Sequence, residues 1–265
     1  MAQSPEVMSD LRLNARQARI LEVLRRDQLL AVTQLAEALD VSGETIRRDL
    51  RLLSAKGLVE KSHGNVRWRD RSEDQPLQRR LLDNMAPKQG IARAIADEIS
   101  DGESIFLDTG STNIYVAQAL KGRRNLTVVT NSAPIAQHLS TGEGNRVYLA
   151  GGELRADDSA AFGPAAIAFL QQFMVKTAII SASGLDANLG VMDNHLCEAD
   201  VSRSVIGHTE RVIVGADYTK FNRRCLVSAL GFADVDLLVT DQKPTGPLSD
   251  ELDRHDVEIL VAGAV

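Results

Sequence analysis

The sequence is poor in cysteine, in aromatic residues and in long hydrophobic runs, and these shortages exclude several classes of protein. Cys197 and Cys225 are the only cysteines, and neither belongs to a CxxC pair or to a cluster of histidine and acidic residues. We therefore expect no disulfide framework and no metal site, and we expect both thiols to be reduced and buried. No apolar run reaches the ~20 residues that cross a bilayer, and residues 1–14 have no signal-peptide core, so we expect a cytosolic location without membrane attachment.

Positive charge is also scarce, since the net charge is −6, but the shortage is uneven along the chain. Residues 1–82 contain 15 Lys and Arg against 12 Asp and Glu, a net charge of +3. Residues 83–265 contain 15 against 24, a net charge of −9. A basic first part and an acidic second part are compatible with a nucleic-acid partner for the first part alone. The total of 265 residues, 44% of them hydrophobic, fits one small and one medium globular domain.

Three short helical patterns occupy the first part of the chain. Apolar residues recur at helical spacing over residues 15–26, Thr33 stands at the N-cap position of a helix over 34–39, and Ser42 stands at that of a helix over 44–56. The last two helices are joined by a tight turn. This order predicts a helix-turn-helix, in which the third helix enters the major groove of DNA.

The third helix is predicted to expose hydroxyl, carboxylate and guanidinium groups along its first turns. Arginine can pair with guanine or bind a phosphate, and threonine can bind a phosphate or contact a thymine methyl, so both kinds of contact stay open. Taken singly, such residues are typical of the solvated face of an amphipathic helix, but after a cap and a turn they favour DNA binding. The residues predicted to contact DNA from this helix are Ser42, Glu44, Thr45, Arg47, Arg48 and Arg51.

Residues 58–68 predict a two-stranded hairpin behind the third helix, which is the position of a wing. Lys61 and His63 would place positive or polar groups beside the duplex backbone. Val41-Ser42 followed by Thr45-Ile46-Arg47-Arg48-Asp49-Leu50 resembles the signature of the DeoR family of repressors. The resemblance implies that residues 12–69 form a winged helix-turn-helix that binds double-stranded operator DNA.

The wing departs from the family at one position. Relatives commonly have His-Gly-Gly-Ala, whereas this chain has His63-Gly64-Asn65-Val66. We expect Asn65 to adopt a positive φ at the tip, because asparagine tolerates that conformation best among the non-glycine residues.

Beyond residue 87, apolar strands alternate with amphipathic helices. Strands are predicted at residues 104–108, 126–130, 146–150, 177–182, 212–216, 237–240 and 258–261. This alternation predicts an α/β domain with a mostly parallel sheet and helices on both faces. We therefore expect residues 70–87 to be a linker and residues 88–265 to form an effector-sensing α/β domain. Ligands of such sheets bind outside the carboxyl ends of the strands.

Glycine and polar residues follow the predicted carboxyl ends. The turn over residues 109–112 combines hydroxyl groups, a glycine and the N–H groups of a helix start, which together can hold an anion, and phosphate is the expected anion. Asp108 would repel phosphate, so we expect it to bind sugar hydroxyls or to pair with Lys220, which supplies positive charge. The predicted effector-binding residues are Asp108, Thr109, Gly110, Ser111, Thr112, Thr130, Asn131, Gly151, Gly152, Gly184, Asp186, Glu198 and Lys220.

These segments resemble the C-terminal sensor domain of the same family, which is similar in fold to ribose-5-phosphate isomerase. The resemblance is carried by residues 106–112, Thr130-Asn131-Ser132, Gly184-Leu185-Asp186 and Thr219-Lys220-Phe221. It implies a repressor of sugar or polyol catabolism genes that is controlled by a phosphorylated sugar or polyol. Residues 151–155, Gly-Gly-Glu-Leu-Arg, resemble the glycerol-3-phosphate repressors within the family.

Two functions fit the sequence. A regulator would bind palindromic half-sites as a homodimer or homotetramer, with subunit contacts in the acidic second part and no cofactor. A sugar-phosphate isomerase or deaminase could instead use Asp108, Asp186 or Glu198 as a proton-transfer base in the same pocket. The predicted helix-turn-helix favours the regulator, because such an enzyme has no use for it.

Overall fold

The computed structural model describes residues 14–27, 29–55, 58–62, 64–68 and 76–263. The chain divides into two compact units, Met1–Glu73 and Asp74–Val265, and the described residues of each unit have their own hydrophobic core. Among the described helices, none has the length and apolar character of a membrane-spanning segment.

The first unit contains three helices and a three-stranded antiparallel sheet. Its elements in chain order are α1 (Ala15–Asp27), β1 (Leu29–Ala31), α2 (Val32–Ala38), α3 (Gly43–Ala55), β2 (Val59–Ser62) and β3 (Asn65–Trp68). In the sheet, β3 lies between β1 and β2. The predicted three helices and hairpin are thus confirmed as the frame of a winged helix-turn-helix.

The core of the first unit is built from the apolar face of each helix. Ile20 and Leu24 of α1, Leu35 of α2, and Ile46 and Leu50 of α3 are all fully buried in one cluster. The named residues lie four positions apart within α1 and within α3, so one stripe of each helix faces the core. The opposite face of α3 therefore remains exposed.

Two local predictions in this unit are wrong. Thr33 does not cap α2: the helix begins two residues earlier than predicted, at Val32, and Ala31 is its N-cap residue, whose N–H donates to Gln34 Oε1 at 2.8 Å. The positive φ at the hairpin tip belongs to Gly64, at +86°, whereas Asn65 is the first residue of β3 and pairs with Ala31. The glycine that this chain keeps thus supplies the turn, and Asn65 has an ordinary strand position.

The second unit is an α/β domain. Its helices are α4 (Leu77–Leu82), α5 (Met85–Asp97), α6 (Ser111–Ala119), α7 (Ala133–Leu139), α8 (Pro164–Leu170), α9 (Leu196–Ile206) and α10 (Pro247–Arg254). Its strands are β4 (Ser104–Leu107), β5 (Thr127–Thr130), β6 (Arg146–Leu149), β7 (Val175–Ser181), β8 (Gly184–Asp186), β9 (Gly190–Asp193), β10 (Thr209–Gly215), β11 (Val227–Leu230), β12 (Leu237–Thr240) and β13 (Glu258–Val261).

Seven of these strands form one parallel sheet in the order β13-β12-β10-β7-β4-β5-β6. Alternate residues of the central strand β4 enter different cores, since Ile105 and Leu107 belong to one hydrophobic cluster and Phe106 to the other. A core therefore lies on each face of the sheet. The predicted parallel α/β architecture is confirmed, and its seven strands are the seven that the sequence indicated.

A second, antiparallel sheet was not predicted. It has the order β11-β9-β8 and carries part of the chain between β7 and β12. Gly190, at the start of β9, has a φ of +77°, and a side chain there would approach the Leu230 backbone oxygen to 2.2 Å. Only glycine fits this close crossing of β9 and β11.

Candidate functional sites

The first turns of α3 carry the predicted DNA-contacting residues. Ser42 caps the helix, because its Oγ accepts a hydrogen bond from the Thr45 N–H at 3.3 Å and lies 2.8 Å from Thr45 Oγ1. The cap leaves both hydroxyls at the exposed start of the helix. Glu44, Arg47, Arg48 and Arg51 are all exposed on the same helix.

Glu44 contacts two of the three arginines. Its Oε2 lies 3.5 Å from Arg47 Nη1, and its Oε1 lies 3.2 Å from Arg51 Nη2. Arg48 makes no ion pair within the described part of the chain. A groove runs between α3 and the hairpin and is lined by Glu44, Arg47, Arg51 and residues 64–66, among others. Exposed ion pairs of this kind stabilise a fold by only about 0–1 kcal/mol, so these side chains can exchange partners at low cost.

Asp49, in the same sequence motif, has a different role. It is only 3% exposed, and its carboxylate accepts hydrogen bonds from Arg16 Nε at 2.5 Å and from Gln17 Nε2 at 3.3 Å. The hydrogen bond to Asp49 raises the pKa of Arg16. Asp49 therefore holds α3 against α1 and so fixes the orientation of the exposed face. The sequence analysis gave Asp49 no role.

The DNA contacts expected from the hairpin residues Lys61 and His63 stay predictions. The backbone of Lys61 lies in β2, but its side chain and the whole of His63 are outside the described residues.

In the second unit, β4 leads through a short turn directly into α6. Gly110 in this turn has a φ of +140°, and a side chain there would approach Ser181 Oγ to 2.3 Å. Ser181 Oγ donates to the Thr109 backbone oxygen at 2.9 Å, which fixes the turn. No side chain of the described residues caps α6, so the N–H groups of residues 111–113 are available to an anion.

Asp108, which precedes this turn, belongs to a group of buried carboxylates. Asp158, Asp193 and Glu198 are the nearby acids, and all four are at least nine-tenths buried. Burial raises the pKa of Asp108 well above its usual value, and the charges of Asp193 and Glu198 raise it further, although the Thr109 N–H donates to Asp108 Oδ1 at 2.7 Å. Asp108 therefore keeps its proton to a higher pH than an ordinary aspartic acid. Asp158 and Asp193 were missed because neither stands next to a predicted strand end.

Arg155 is the cation of this acidic group. It forms ion pairs with Asp158 and Glu198, and its Nε donates to Asp158 Oδ1 at 3.0 Å. Its guanidinium also lies 4.4 Å from the centroid of the Phe162 ring. Burial alone would lower the pKa of Arg155, but the hydrogen bonds and charges of Asp158 and Glu198 raise it, so this side chain stays cationic. The predicted residue Glu198 is thus brought beside Asp108, with Arg155 as its partner.

Thr130 and Asn131 are both fully buried after β5. Thr130 Oγ1 donates to the Leu107 backbone oxygen at 2.6 Å and accepts from the Ser132 N–H at 3.1 Å, so the fold itself uses this hydroxyl. Asn131 Nδ2 donates to the Ala161 backbone oxygen at 3.2 Å, but its Oδ1 has no partner among the described residues. A buried polar atom without a partner costs about 1–3 kcal/mol, so Asn131 Oδ1 is an acceptor that a bound hydroxyl would satisfy.

Four predicted effector-binding residues remain, namely Gly151, Gly152, Gly184 and Asp186. Asp186 Oδ2 lies 2.7 Å from Arg224 Nε, so this carboxylate already has a cationic partner. A side chain at Gly184 would approach a backbone oxygen of the facing loop to 2.2 Å, which explains the glycine by packing. Gly151 and Gly152 are exposed at the start of the loop that leads to Arg155.

The predicted pair between Asp108 and Lys220 is wrong. The charges that act most strongly on Asp108 are carboxylates, whereas those near Lys220 are Asp217, Arg223 and Arg80. Burial lowers the pKa of Lys220, and Asp217 only partly offsets this effect. Asp108 is left with the sugar hydroxyls as its expected partner, and Lys220 belongs to a separate, basic group.

Lys88 is the second cation of the basic group, and unlike the partly exposed Lys220 it is fully buried; it was not predicted from the sequence. It is 3% exposed, and its Nζ donates to the backbone oxygens of Arg80, at 2.5 Å, and Asp83, at 2.7 Å. Burial and, to a lesser degree, the charge of Lys220 together lower the pKa of Lys88 to about 8. Its burial could have been predicted from its position, because Lys88 stands three residues before Ile91 and therefore on the apolar face of α5. Lysine is rarely buried in this way without a partner.

The basic pair and the start of α6 lie at the same edge of the sheet. At Gly215, the last residue of β10, a side chain would approach Ile95 to 2.9 Å and Thr112 to 3.4 Å. The carboxyl end of β10 therefore contacts both α5, which carries Lys88, and the first turn of α6. Lys220 follows shortly after β10. The two lysines and the first turn of α6 are thus carried by segments that meet at the carboxyl end of β10.

The cysteines do not form a site. Neither is in a disulfide, and both are partly exposed, so the prediction that they are buried is wrong. Cys197 Sγ lies 3.9 Å from Arg155 Nη1, and burial raises the pKa of this thiol. Within the described residues, no three His, Cys, Asp or Glu side chains are arranged to hold a metal ion.

Two protein families match the chain in these regions. Residues 16–72 match the DeoR-like helix-turn-helix domain, and residues 83–242 match the DeoR C terminal sensor domain. The first match contains the exposed face of α3, and the second contains the loops at the strand ends of the parallel sheet.

Similar proteins cover most of the chain. The transcriptional repressor AccR of Agrobacterium fabrum is 38% identical over 228 residues, which are 85% of this chain and 88% of AccR. The glycerol-3-phosphate regulon repressor of Escherichia coli is 32% identical over 240 residues, 91% of this chain and 95% of that protein. Among solved structures, ribose 5-phosphate isomerase from Plasmodium falciparum aligns with 51% of this chain and 52% of its own, with a TM-score of 0.36 and 16% identity.

Proposed function

The chain belongs to the DeoR family of transcription regulators, and on this premise we propose that it is a repressor whose operator affinity is set by a phosphorylated sugar or polyol. We assign DNA binding to residues 12–69, the connection to residues 70–87 and effector sensing to residues 88–265. The proposal rests on one contrast between the units. The arginines of α3 are exposed, whereas the site in the second unit is buried and has separate acidic and basic groups.

We assign the reading of DNA to the exposed face of α3. Ser42 and Thr45 place two hydroxyls at the helix start, and Arg47, Arg48 and Arg51 follow on the exposed side. Arginines and hydroxyls in this arrangement suit contacts with base edges and phosphates in a major groove. Lys61 and His63 of the hairpin are assigned to the duplex backbone.

We assign the effector phosphate to the first turn of α6. Its uncapped N–H groups point toward any anion at that position, and Lys88 and Lys220 supply positive charge from the β10 side. An anion between these lysines would relieve their mutual repulsion. The basic group therefore favours a ligand with at least one negative charge.

We assign the effector hydroxyls to the acidic group. Asp108, with its raised pKa, can donate a hydrogen bond, while Glu198 and Asn131 Oδ1 can accept one. A polyol carries hydroxyls that act as both donor and acceptor. A basic group at one end and an acidic group at the other thus fit a phosphorylated sugar or polyol.

The same contacts argue against the enzyme alternative. Of the three candidate bases, Glu198 is paired with Arg155 and Asp186 with Arg224, so each carboxylate would have to leave its ion pair to take a proton from a ligand. Asp108 tends to hold its proton, which also makes it a poor acceptor. We infer that the site binds and releases its ligand unchanged.

We further propose that the protein acts as a homodimer or homotetramer in the cytoplasm on genes of sugar or polyol catabolism. Palindromic half-sites require two helix-turn-helix units, and one unit by itself would bind weakly. A relative named for the glycerol-3-phosphate regulon makes glycerol 3-phosphate the first compound to test.

The test uses the full-length protein and an operator duplex selected from random DNA. Operator affinity is measured by fluorescence anisotropy with glycerol 3-phosphate, fructose 6-phosphate and ribose 5-phosphate, and with glycerol, fructose and ribose as matched controls. We expect one phosphorylated compound to change the affinity by roughly 5- to 150-fold, without turnover and without an effect of its unphosphorylated form. Failure to select any duplex at low salt, or conversion of a compound to product, would overturn the proposal.

A further inference from the structure

The first described part of the second unit is residues 76–84, which comprise α4 and the turn after it, and which we call the joining segment. Along the chain, residues 69–75 lead from β3 of the first unit into this segment. Leu77, the first residue of α4, is 3% exposed and belongs to the core on one face of the parallel sheet. The joining segment, which falls within the proposed connection of residues 70–87, thus packs on the core of the second unit and leads along the chain to the first unit.

The loop of the acidic group holds one end of the joining segment. Asp157 Oδ1 accepts a hydrogen bond from the Leu77 N–H at 3.2 Å, and Asp157 Oδ2 lies 3.9 Å from Arg80 Nη2. Asp157 stands between Arg155 and Asp158 in the chain. Arg155 forms one ion pair with Asp158 and another with Glu198. A rearrangement of the acidic group would therefore act directly on the start of α4.

The basic group holds the other end. Asn84 Nδ2 donates to Asp217 Oδ1 at 3.2 Å and to Thr219 Oγ1 at 3.3 Å, both in the loop that carries Lys220. The hydrogen bonds of Lys88 Nζ end on backbone oxygens of the same segment. The ammonium group assigned to the effector anion is thus the group that holds the end of α4.

Helix α6, whose first turn is assigned to the effector phosphate, supplies a third contact. Tyr115, in the second turn of α6, donates its hydroxyl hydrogen to the Leu81 backbone oxygen at 2.8 Å. All three parts of the proposed effector site therefore bind one short segment.

We propose that the joining segment transmits effector occupancy to the DNA-binding unit, with Asp157 and Tyr115 as its positioning residues. This inference rests on the proposed function of the site. Lys88 donates two of its three N–H groups to backbone oxygens of the segment, so an anion bound at the third pulls on the group that holds the end of α4, and the empty and occupied sites hold the segment differently. A ligand can shift operator affinity only through such a difference between the two states.

The experiment compares Asp157→Ala, Tyr115→Phe and the double variant with the wild type, all as full-length protein. Operator affinity is measured with and without glycerol 3-phosphate, fructose 6-phosphate or ribose 5-phosphate, and affinity for the compound is measured on DNA-free protein by calorimetry. We expect each single variant to reduce about threefold the ratio of operator affinities measured with and without the compound, and the double variant to bring this ratio close to one, because each variant removes a contact that holds the joining segment. The affinity of DNA-free protein for the compound stays within about twofold.

Glu153→Ala and Tyr148→Phe are the matched controls. Glu153 is exposed in the same loop as Asp157 and makes no ion pair in the described part of the chain, and Tyr148 lies on β6. Both controls keep the wild-type response. Tyr115→Phe removes a single hydroxyl, so its fold is preserved even if Asp157→Ala unfolds the loop.

The outcomes separate two failures. A wild type that responds together with a double variant that responds equally overturns the role of the joining segment and leaves the proposed function standing. A wild type that ignores all three compounds overturns the proposed function itself.

Discussion

The two units handle charge in opposite ways. On α3 the arginines and Glu44 are exposed, and the buried Asp49 is neutralised locally by Arg16. In the sensor domain, two of the four buried carboxylates pair with Arg155, and Lys88 lies buried near Lys220. Burying charge is costly unless it is paired, whereas exposed charge costs little. The arginines of α3 are thus exposed in the free protein, whereas we expect the sensor domain to be stabilised further when a ligand pairs with its buried polar groups.

The largest expected effect comes from removing the shared cation of the acidic group. Arg155→Ala leaves Asp158 and Glu198 buried without their ion pair, so we expect the free energy of unfolding of the sensor domain to fall by about 3–5 kcal/mol. Urea unfolding followed by circular dichroism measures this loss. Arg124→Ala is the control, since its pair with Glu143 is exposed and should change stability by less than about 0.5 kcal/mol. A loss below 1 kcal/mol for Arg155→Ala would remove the contrast between the units.

The next effect concerns the exposed surface. Arg48→Ala removes a guanidinium that has no ion pair within the described residues, so the free protein should fold normally. We expect operator binding to weaken by about 1–3 kcal/mol, as for loss of one base-reading arginine, and ligand-induced thermal stabilisation to be unchanged. Arg19→Ala, on an exposed position of α1, is the control for charge alone. Loss of ligand binding in Arg48→Ala would contradict the independence of the two sites.

The fold was accessible from the sequence because its pattern is local. Apolar residues at helical spacing defined α1 and α3, and seven apolar runs defined the parallel sheet. The small sheet was missed because β8 and β9 are short and buried at every position, so no alternation marks them. Short apolar runs of this kind do not reveal their partners.

The site residues could likewise be predicted only where the sequence pattern is local. The α3 residues could be predicted because an exposed helix face follows from helical spacing alone. The pairing of Arg155 with Glu198, and the burial of Lys88, depend on contacts between distant segments that no spacing records. Sequence reasoning therefore found the turn at Asp108 but gave it the wrong cationic partner in Lys220.

A third prediction tests the basic group through pH. The pKa of Lys88 is lowered to about 8, so the side chain is charged below this value and neutral above it. Because an anion binds the charged form, we expect effector affinity to fall by up to about tenfold per unit as pH rises above 8. The phosphate itself is fully ionised by then and adds no change. Isothermal calorimetry at pH 7 and pH 9 measures the fall, and Lys88→Met should bind weakly at both values. An affinity that is flat across this range contradicts the assignment of Lys88.

The smallest expected effect concerns Glu44, the acid among the arginines. A carboxylate on a DNA-facing surface repels phosphates, and here it also holds Arg47 and Arg51. Glu44→Ala should therefore strengthen binding to random duplex DNA several-fold at low salt, because one repulsive charge is lost and two arginines are released to phosphates. Binding to the operator should gain less, since the arginines lose their fixed orientation, so the ratio of specific to nonspecific affinity falls. Glu22→Ala, exposed on α1, removes the same charge away from α3. If both variants change the two affinities equally, Glu44 acts only through net charge, and the exposed face of α3 is less organised than its ion pairs imply.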